Sequence, residues 1–303
     1  MVQIRLTRAD ELAEVLALLL TQPGIPPAEV RAQVQAFIKY TQDRPMPPES
    51  QYVAVEGDAI VAAAVALDSP GRTALVFFPS VRVYPHRRDV VVDLLDRLVA
   101  AGRRRGLRLF QVLLGPEATE DEDLLASAGF ERLAELIYLE RASTLPLDAE
   151  PDPPDLRWTC YDRTTHSLFR QVIQATYQNS LDCPALTGRR DMEDILAGHK
   201  DVGEFDPQRW FILSQHDRPV GCLLLSRVRH RSALELVYMG LCPEARGKGL
   251  GRSLLRRAIQ VTLGSRLAYV TLAVDAANTP AHSLYRRFGF TETMRRSAWI
   301  LMD

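Results

Sequence analysis

Apolar positions along the chain recur with two periods, and the order in which those periods alternate is written twice. "VQIRLT" reads as a short strand, followed by helical segments. "YVAVEGDAIVAAAVAL" reads as a hairpin that turns at polar residues, and "ALVFFPSVRVYP" as a third strand. Val90, Val91, Leu94, Leu95 and Leu98 then share one face of an amphipathic helix. An apolar strand, "LRLFQVLL", and a short helix ending at Gly129 and Phe130 close the series. The second half repeats it as "LRWTCY", the hairpin "WFILSQHDRPVGCLLLS", the strand "ALELVYMGLCP", an amphipathic helix, the strand "LAYVTLAV" and a helix ending at Gly289 and Phe290. In that second amphipathic helix Leu250, Leu254, Leu255, Ala258 and Val261 form the apolar face, and Arg252, Arg256 and Arg257 are expected away from it.

The spacing between matching landmarks is nearly constant. Tyr52 and Trp210 are 158 residues apart, Pro85 and Pro243 also 158, and Gly129 and Gly289 160. A steady offset of this kind argues for an internal duplication. "ASTLPLDAEPDPPDLRW" separates the halves with Pro146, Pro151, Pro153 and Pro154, which remove backbone donors and disfavour helix in the preceding residue. The expected organisation is a first lobe at 1–145, a linker at 146–154 and a second lobe at 155–303. The alternation of strands and helices makes the class α/β with a mixed sheet.

Composition narrows the partners. A net charge of -1 gives no electrostatic reason to expect nucleic acid or an anionic membrane. No apolar run reaches the roughly 20 residues needed to span a bilayer. The N-terminal "MVQIRLTRADELAEVLALLL" has acids inside its apolar run and no basic leader, so it reads as strand and helix rather than signal peptide. Cys160, Cys183, Cys222 and Cys242 form no CxxC pair and have no histidines at zinc spacing, so a reduced, cytoplasmic chain without metal is expected.

Chemistry concentrates in "CPEARGKGLGRSLLRRAIQ", with Gly247, Gly249 and Gly251 on alternate positions between a strand and a helix. Unpaired N–H groups and the helix dipole put positive potential at such a turn, and glycines let a phosphate approach closely. The dinucleotide pattern G-x-G-x-x-G fails because its third glycine position is Arg252. The Walker pattern fails because its first glycine position is Cys242. The pattern present is Arg246-x-x-Gly249-x-Gly251. A second landmark, "VDAANTPAHSLYRRFGF", places Asn278, Tyr285, Gly289 and Phe290 about 30 residues on.

With these two landmarks in this order, the second half resembles the Gcn5-related N-acetyltransferases, the GNAT superfamily. The tandem layout is similar to that of mycothiol synthase and related two-lobe acetyltransferases. The resemblance implies two tandem lobes, each a mostly antiparallel twisted sheet flanked by helices. It also implies acetyl-CoA as acyl donor, with its pyrophosphate on the turn formed by Arg246, Gly247, Lys248, Gly249, Leu250, Gly251 and Arg252. In the first half only the order of elements and the Gly-Phe ending match.

An alkylamine, protonated at neutral pH, must lose a proton before it attacks a thioester. Glu235 interrupts a strand that is otherwise apolar on both faces, where a charge is costly unless a cleft or partner relieves it. The resemblance makes Glu235 the base and Tyr285 the acid that protonates the departing thiolate. Backbone N–H groups at Gly240 and Leu241 are candidates for the thioester oxygen if the strand bulges or splays there. Asn278 either contacts coenzyme A or caps the helix that begins beside it.

Aligned through Pro85 and Pro243, Glu235 faces Phe77. Aligned through the Gly-Phe pairs, Tyr285 faces Leu125 and Asn278 faces Ala118. The first lobe's turn, "YPHRRDVVVDLL", has no glycine. The expectation is a silent first lobe, a catalytic second lobe acting on a small-molecule amine, and a monomer. The alternatives are an acyl-CoA-binding regulator without turnover, and a peptidoglycan-precursor aminoacyl transferase of the Fem type, which the absence of a large basic surface disfavours.

Overall fold

The computed structural model describes residues 2–21, 26–41, 46–81, 87–147, 152–229 and 231–302. Pro85 with the first-half turn at 84–86, and linker residues 148–151, lie outside them. The elements run β1 (Val2–Leu6), α1 (Leu12–Leu20), α2 (Pro27–Thr41), β2 (Gln51–Glu56), β3 (Ala59–Ser69), β4 (Thr73–Phe77), α3 (Arg88–Arg104), β5 (Leu109–Leu114), α4 (Thr119–Ser127) and β6 (Glu131–Ala142). The second series is β7 (Leu156–Cys160), α5 (His166–Thr176), α6 (Met192–Asp201), β8 (Trp210–Gln215), β9 (Arg218–Arg227), β10 (Ala233–Leu241), α7 (Leu250–Gly264), β11 (Tyr269–Asp275), α8 (Thr279–Arg287) and β12 (Thr291–Met302). The duplicated order read from the sequence is the order of the fold. From β4 onward four matching pairs begin 160 residues apart, β4 and β10, β5 and β11, α4 and α8, β6 and β12, while α3 and α7 begin 162 apart.

The chain forms two compact units, residues 1–133 with 296–303, and residues 134–295. In the first unit β1 to β4 pair antiparallel in sequence order and β4 pairs β5 in parallel. In the second, β7 to β10 pair antiparallel, and β10 pairs β11 in parallel. Each sheet has helices on both faces. In the first unit α3 and α4 cover one core, with Leu94, Leu98 and Leu125, and α1 and α2 the other, with Val15, Leu16 and Val53. In the second unit α7 and α8 cover Leu254, Leu272 and Phe290, and α5 and α6 cover Phe169, Trp210 and Leu224.

The unit boundary differs from the one expected at the prolines, because the closing strands are exchanged. Ser297–Met302 of β12 pair antiparallel with β5 inside the first unit. Leu136–Ala142 of β6 pair with β11 inside the second. Arg141 explains why the chain beyond β6 stays with the second unit. Its buried guanidinium donates to the carbonyls of Phe288, Ala142, Leu145 and Pro146, the last three at 2.8–2.9 Å. Burial lowers its pKa, and the carbonyls compensate the charge in place of a carboxylate.

Arg256 also departs from its expected outward position. It is 7% exposed, and its Nη1 lies 2.6 Å from Asp152 Oδ1 of the linker. Arg257 stacks over Phe211, 4.8 Å from the ring centroid. Long guanidinium side chains can occupy a helix face that a hydrophobic count assigns to solvent when a partner waits there.

A fragment of residues 155–303 removes β6 from the second unit and leaves β11 with an unpaired edge. It is expected to unfold without a cooperative transition or to self-associate, as read by circular dichroism melts and gel filtration. A monomeric fragment that melts like the full chain would show that β6 is dispensable.

Candidate active site

The second unit's sheet opens between its two central strands. β10 pairs with β11 only over Ala233–Glu235 against Tyr269–Thr271. Beyond Glu235, β10 stays paired with β9 while β11 continues beside β6, so the two facing edges diverge. Residues 236–241 of β10 and Ala273 and Val274 of β11 bound a cleft of about 950 Å3.

The splay is accompanied by a bulge. The register of β10 against β9 shifts between Leu236 and Tyr238. Leu234 and Leu236 therefore pack towards α7, whereas Val237 and Tyr238 both pack towards α5. The bulge falls before Gly240, which is itself in regular register opposite Cys222. Gly240 answers a different demand. A Cβ there would lie 2.7 Å from Thr176 Cβ and 2.7 Å from the Tyr238 hydroxyl, so its absence lets α5 approach the strand. Gly240 and Leu241 do line the cleft.

The glycine turn closes one end of the cleft. Gly247 has φ +73° and Gly249, the N-cap of α7, φ +81°, a left-handed backbone that glycine adopts without strain. A Cβ built on either would meet nothing within 4 Å, so the space over both residues is open. The first N–H groups of α7 face that space with the positive end of the helix dipole. The donor set is backbone N–H, with Arg252 on the cleft lining, which suits a pyrophosphate.

Not every residue of the motif reaches the cleft. Lys248 is exposed and off the lining, and Leu250 is 2% exposed in the core beside Leu254. Gly251 lines the cleft and also allows α8 to pack, since a Cβ would stand 3.2 Å from Leu284 Cδ2. Arg246 was expected to offer its charge to the phosphates. Its Nε instead donates to Leu241 O at 3.0 Å, Nη1 to Asn179 O at 2.9 Å and Nη2 to Thr176 O at 2.8 Å.

Tyr285 lies on the cleft wall, 5% exposed, its phenol pushed up by burial and by the nearby Asp182 carboxylate. Asn278 serves as the N-cap of α8, its Oδ1 accepting from Ala281 N at 3.4 Å. Glu235 is half-buried and off the cleft lining, opposite Ser226 on β9 and Thr271 on β11. It stands at the last pair before the splay, and burial alone pushes its carboxyl up. No hydrogen bond or ion pair of its carboxylate occurs among the described residues.

Several cleft neighbours carry no motif in the sequence. Tyr238 Oη and Thr176 Oγ1 lie 2.8 Å apart, Tyr177 Oη and His199 Nε2 3.3 Å apart, and His199 stacks on Tyr238. Burial, with a smaller contribution from the Arg190 charge, pushes the His199 imidazole down to about 4, so it is neutral at pH 7. Asp275, at the end of β11, accepts from Cys183 N and Ala277 N. Among the described residues no cluster suited to a metal ion occurs, and no helix is long and apolar enough to cross a membrane.

A splayed central strand pair with a glycine-ringed helix N-terminus at its mouth defines an acyl-coenzyme A-dependent acyltransferase. Residues 173–290 match the model of the acetyltransferase (GNAT) family. The chain is 28% identical over 253 residues to the mycothiol acetyltransferase of Pseudarthrobacter chlorophenolicus, covering 80% of this chain and 75% of that one. It is 31% identical over 222 residues to that of Streptomyces griseus, covering 72% and 67%. Its fold matches a GCN5-related N-acetyltransferase from Sphaerobacter thermophilus with TM-score 0.65, 16% identity, and 99% and 95% coverage. A tandem GNAT protein from the clavulanic acid biosynthesis pathway matches with TM-score 0.52, 15% identity, and 100% and 98% coverage. The chain belongs to the GNAT family and is an N-acetyltransferase of the mycothiol synthase-like, two-lobed kind, with acetyl-CoA as acyl donor.

A Val side chain at position 249 would occupy the open space over the turn and strain its left-handed backbone. Gly249→Val is expected to weaken acetyl-CoA binding at least about tenfold, roughly 1.4 kcal/mol, by calorimetry. Unchanged affinity in a folded variant would move the pyrophosphate elsewhere.

Proposed function

We propose that the second unit transfers the acetyl group of acetyl-CoA to the primary amine of a small molecule by direct attack on the thioester. The observation that carries this reading is the placement of Glu235. It is a carboxylate without a protein partner among the described residues, set at the point where β10 and β11 part and raised towards the range of a general base. The amine nitrogen bonds to the thioester carbon as its proton passes to Glu235, directly or through one water. The C–S bond then breaks, and the thiolate takes the Tyr285 proton. The edge of β10 opened by the splay supplies N–H groups for the developing oxyanion. The name of the matching relatives, mycothiol acetyltransferase, supports a small-molecule acceptor.

The first unit does no chemistry in this proposal. By strand register Leu75, rather than Phe77, stands where Glu235 does, since Leu75 pairs Gln111 as Glu235 pairs Thr271. Leu125 is fully buried in the core, and Ala118 gives α4 no side-chain cap. These apolar side chains hold the first unit's fold and offer no proton acceptor or donor.

Glu235→Gln keeps the shape and removes the proton acceptor. Turnover at neutral pH is expected to fall about 100- to 10,000-fold and to recover in part at high pH, where more free amine is present. The parent's rate should rise with pH through a pKa above the ordinary carboxylate value, because burial favours the protonated form, and this limb should vanish in the variant. A variant as fast as the parent at pH 7 refutes the role.

Tyr285→Phe removes only the hydroxyl. Its kcat should drop at least about tenfold while acetyl-CoA affinity stays within about twofold. A large loss of affinity with normal kcat would make Tyr285 a packing residue.

A further inference from the structure

The segment Tyr177–Cys183 joins α5 to the rest of the cleft in a conformation that its own sequence does not favour. Asn179 has φ +53° and Cys183 φ +45°, both left-handed and neither glycine. Such backbone is uncommon outside glycine and persists where surrounding bonds over-determine it. Here those bonds come from the elements that form the donor cleft. At the start of the segment, Arg246 of the glycine turn donates to Thr176 O at 2.8 Å and Asn179 O at 2.9 Å, and holds itself to β10 through Leu241 O. At its end the bonds are reciprocal. Asp275 Oδ2 accepts from Cys183 N at 3.1 Å, and Asp275 N donates to Asp182 Oδ1 at 3.1 Å. Asp275 is 5% exposed, and its other oxygen accepts from Ala277 N at 2.9 Å, which fixes the carboxylate itself.

Between the two anchors, Asn179, Ser180, Leu181 and Asp182 line the cleft, and Leu181 is 51% exposed. The segment leaves α5, which covers the sheet face that carries Tyr238, whereas the phosphate end of the cleft is the α7 turn. We infer that Asp275 and Arg246 are positioning residues that hold Tyr177–Cys183 as the acceptor-facing wall of the donor cleft, so that one set of bonds aligns the amine with the thioester. This rests on the acetyl-transfer reading. Asp275 acts through the backbone of Cys183 and the side chain of Asp182, and touches neither substrate.

The test uses the full-length chain and the variants Asp275→Ala, Asp182→Ala and Asp182→Asn, with acetyl-CoA as donor and glucosamine as the probe amine. Asp275→Ala and Asp182→Ala should raise amide hydrogen exchange across residues 177–183 at least about tenfold. They should leave the Kd for acetyl-CoA within about threefold and raise the KM for glucosamine at least about tenfold, with a smaller change in kcat. Asp182→Asn keeps an oxygen for the Asp275 N–H, so it should restore parental exchange. If Asp275→Ala does not fold, the two Asp182 variants carry the comparison. If glucosamine is not turned over by the parent, the exchange result decides. Unchanged exchange at 177–183, or an unchanged KM in a variant with raised exchange, overturns the inference. Failure of the parent to bind acetyl-CoA overturns the acetyl-transfer reading instead.

Discussion

Everything in the second unit depends on one departure from regular pairing, the parting of β10 and β11 after Glu235. Inside a sheet, an unpaired strand edge leaves N–H and C=O groups without partners at a cost of about 1–3 kcal/mol each. Such an opening survives only where neighbouring elements hold both edges and a ligand or water completes them. β9 holds β10, β6 holds β11, and the N-termini of α7 and α8 close the ends of the cleft. The bulge at Val237 turns Val237 and Tyr238 to the same face and brings the aromatic group around His199 to the wall. The backbone edge left open by the splay thus lines the cleft, and Glu235 is the last residue before it.

The exchange of closing strands gives the duplication its consequence. In each unit the strand pair β4–β5 or β10–β11 takes its next antiparallel neighbour from the other half of the sequence. The two halves of the sequence therefore cannot be parted at the linker without loss, since β6 from the first half completes the second unit's sheet. Buried guanidiniums stabilise this connection locally, Arg141 on four carbonyls and Arg256 on Asp152. Both satisfy the rule that an enclosed charge must find partners.

Arginine chemistry also separates a motif from its mechanism. Arg246 occupies the expected position in the turn, yet its three bonds go to backbone carbonyls that brace the segment after α5. Gly251 likewise serves helix packing beside its place on the lining, and Gly240 serves the approach of α5 rather than the bulge. Spacing put these residues on the cleft lining, because spacing reflects which face of a strand or helix a residue occupies. Their partners came from elements distant in sequence.

The sequence by itself determined the element order, the duplication, the glycine turn and the position of Glu235 within an apolar strand, because each leaves a local signature: a period, a left-handed turn residue, or a charge interrupting an apolar strand. The tertiary structure alone decided which strands complete which sheet and where β10 bulges. It also decided that the reciprocal Asp182 and Asp275 bonds fix the cleft wall. These features are pairings between different elements of the chain, most of them between residues far apart in sequence. No local period encodes such a pairing, because it exists only once both partners have been carried to the same edge of the sheet.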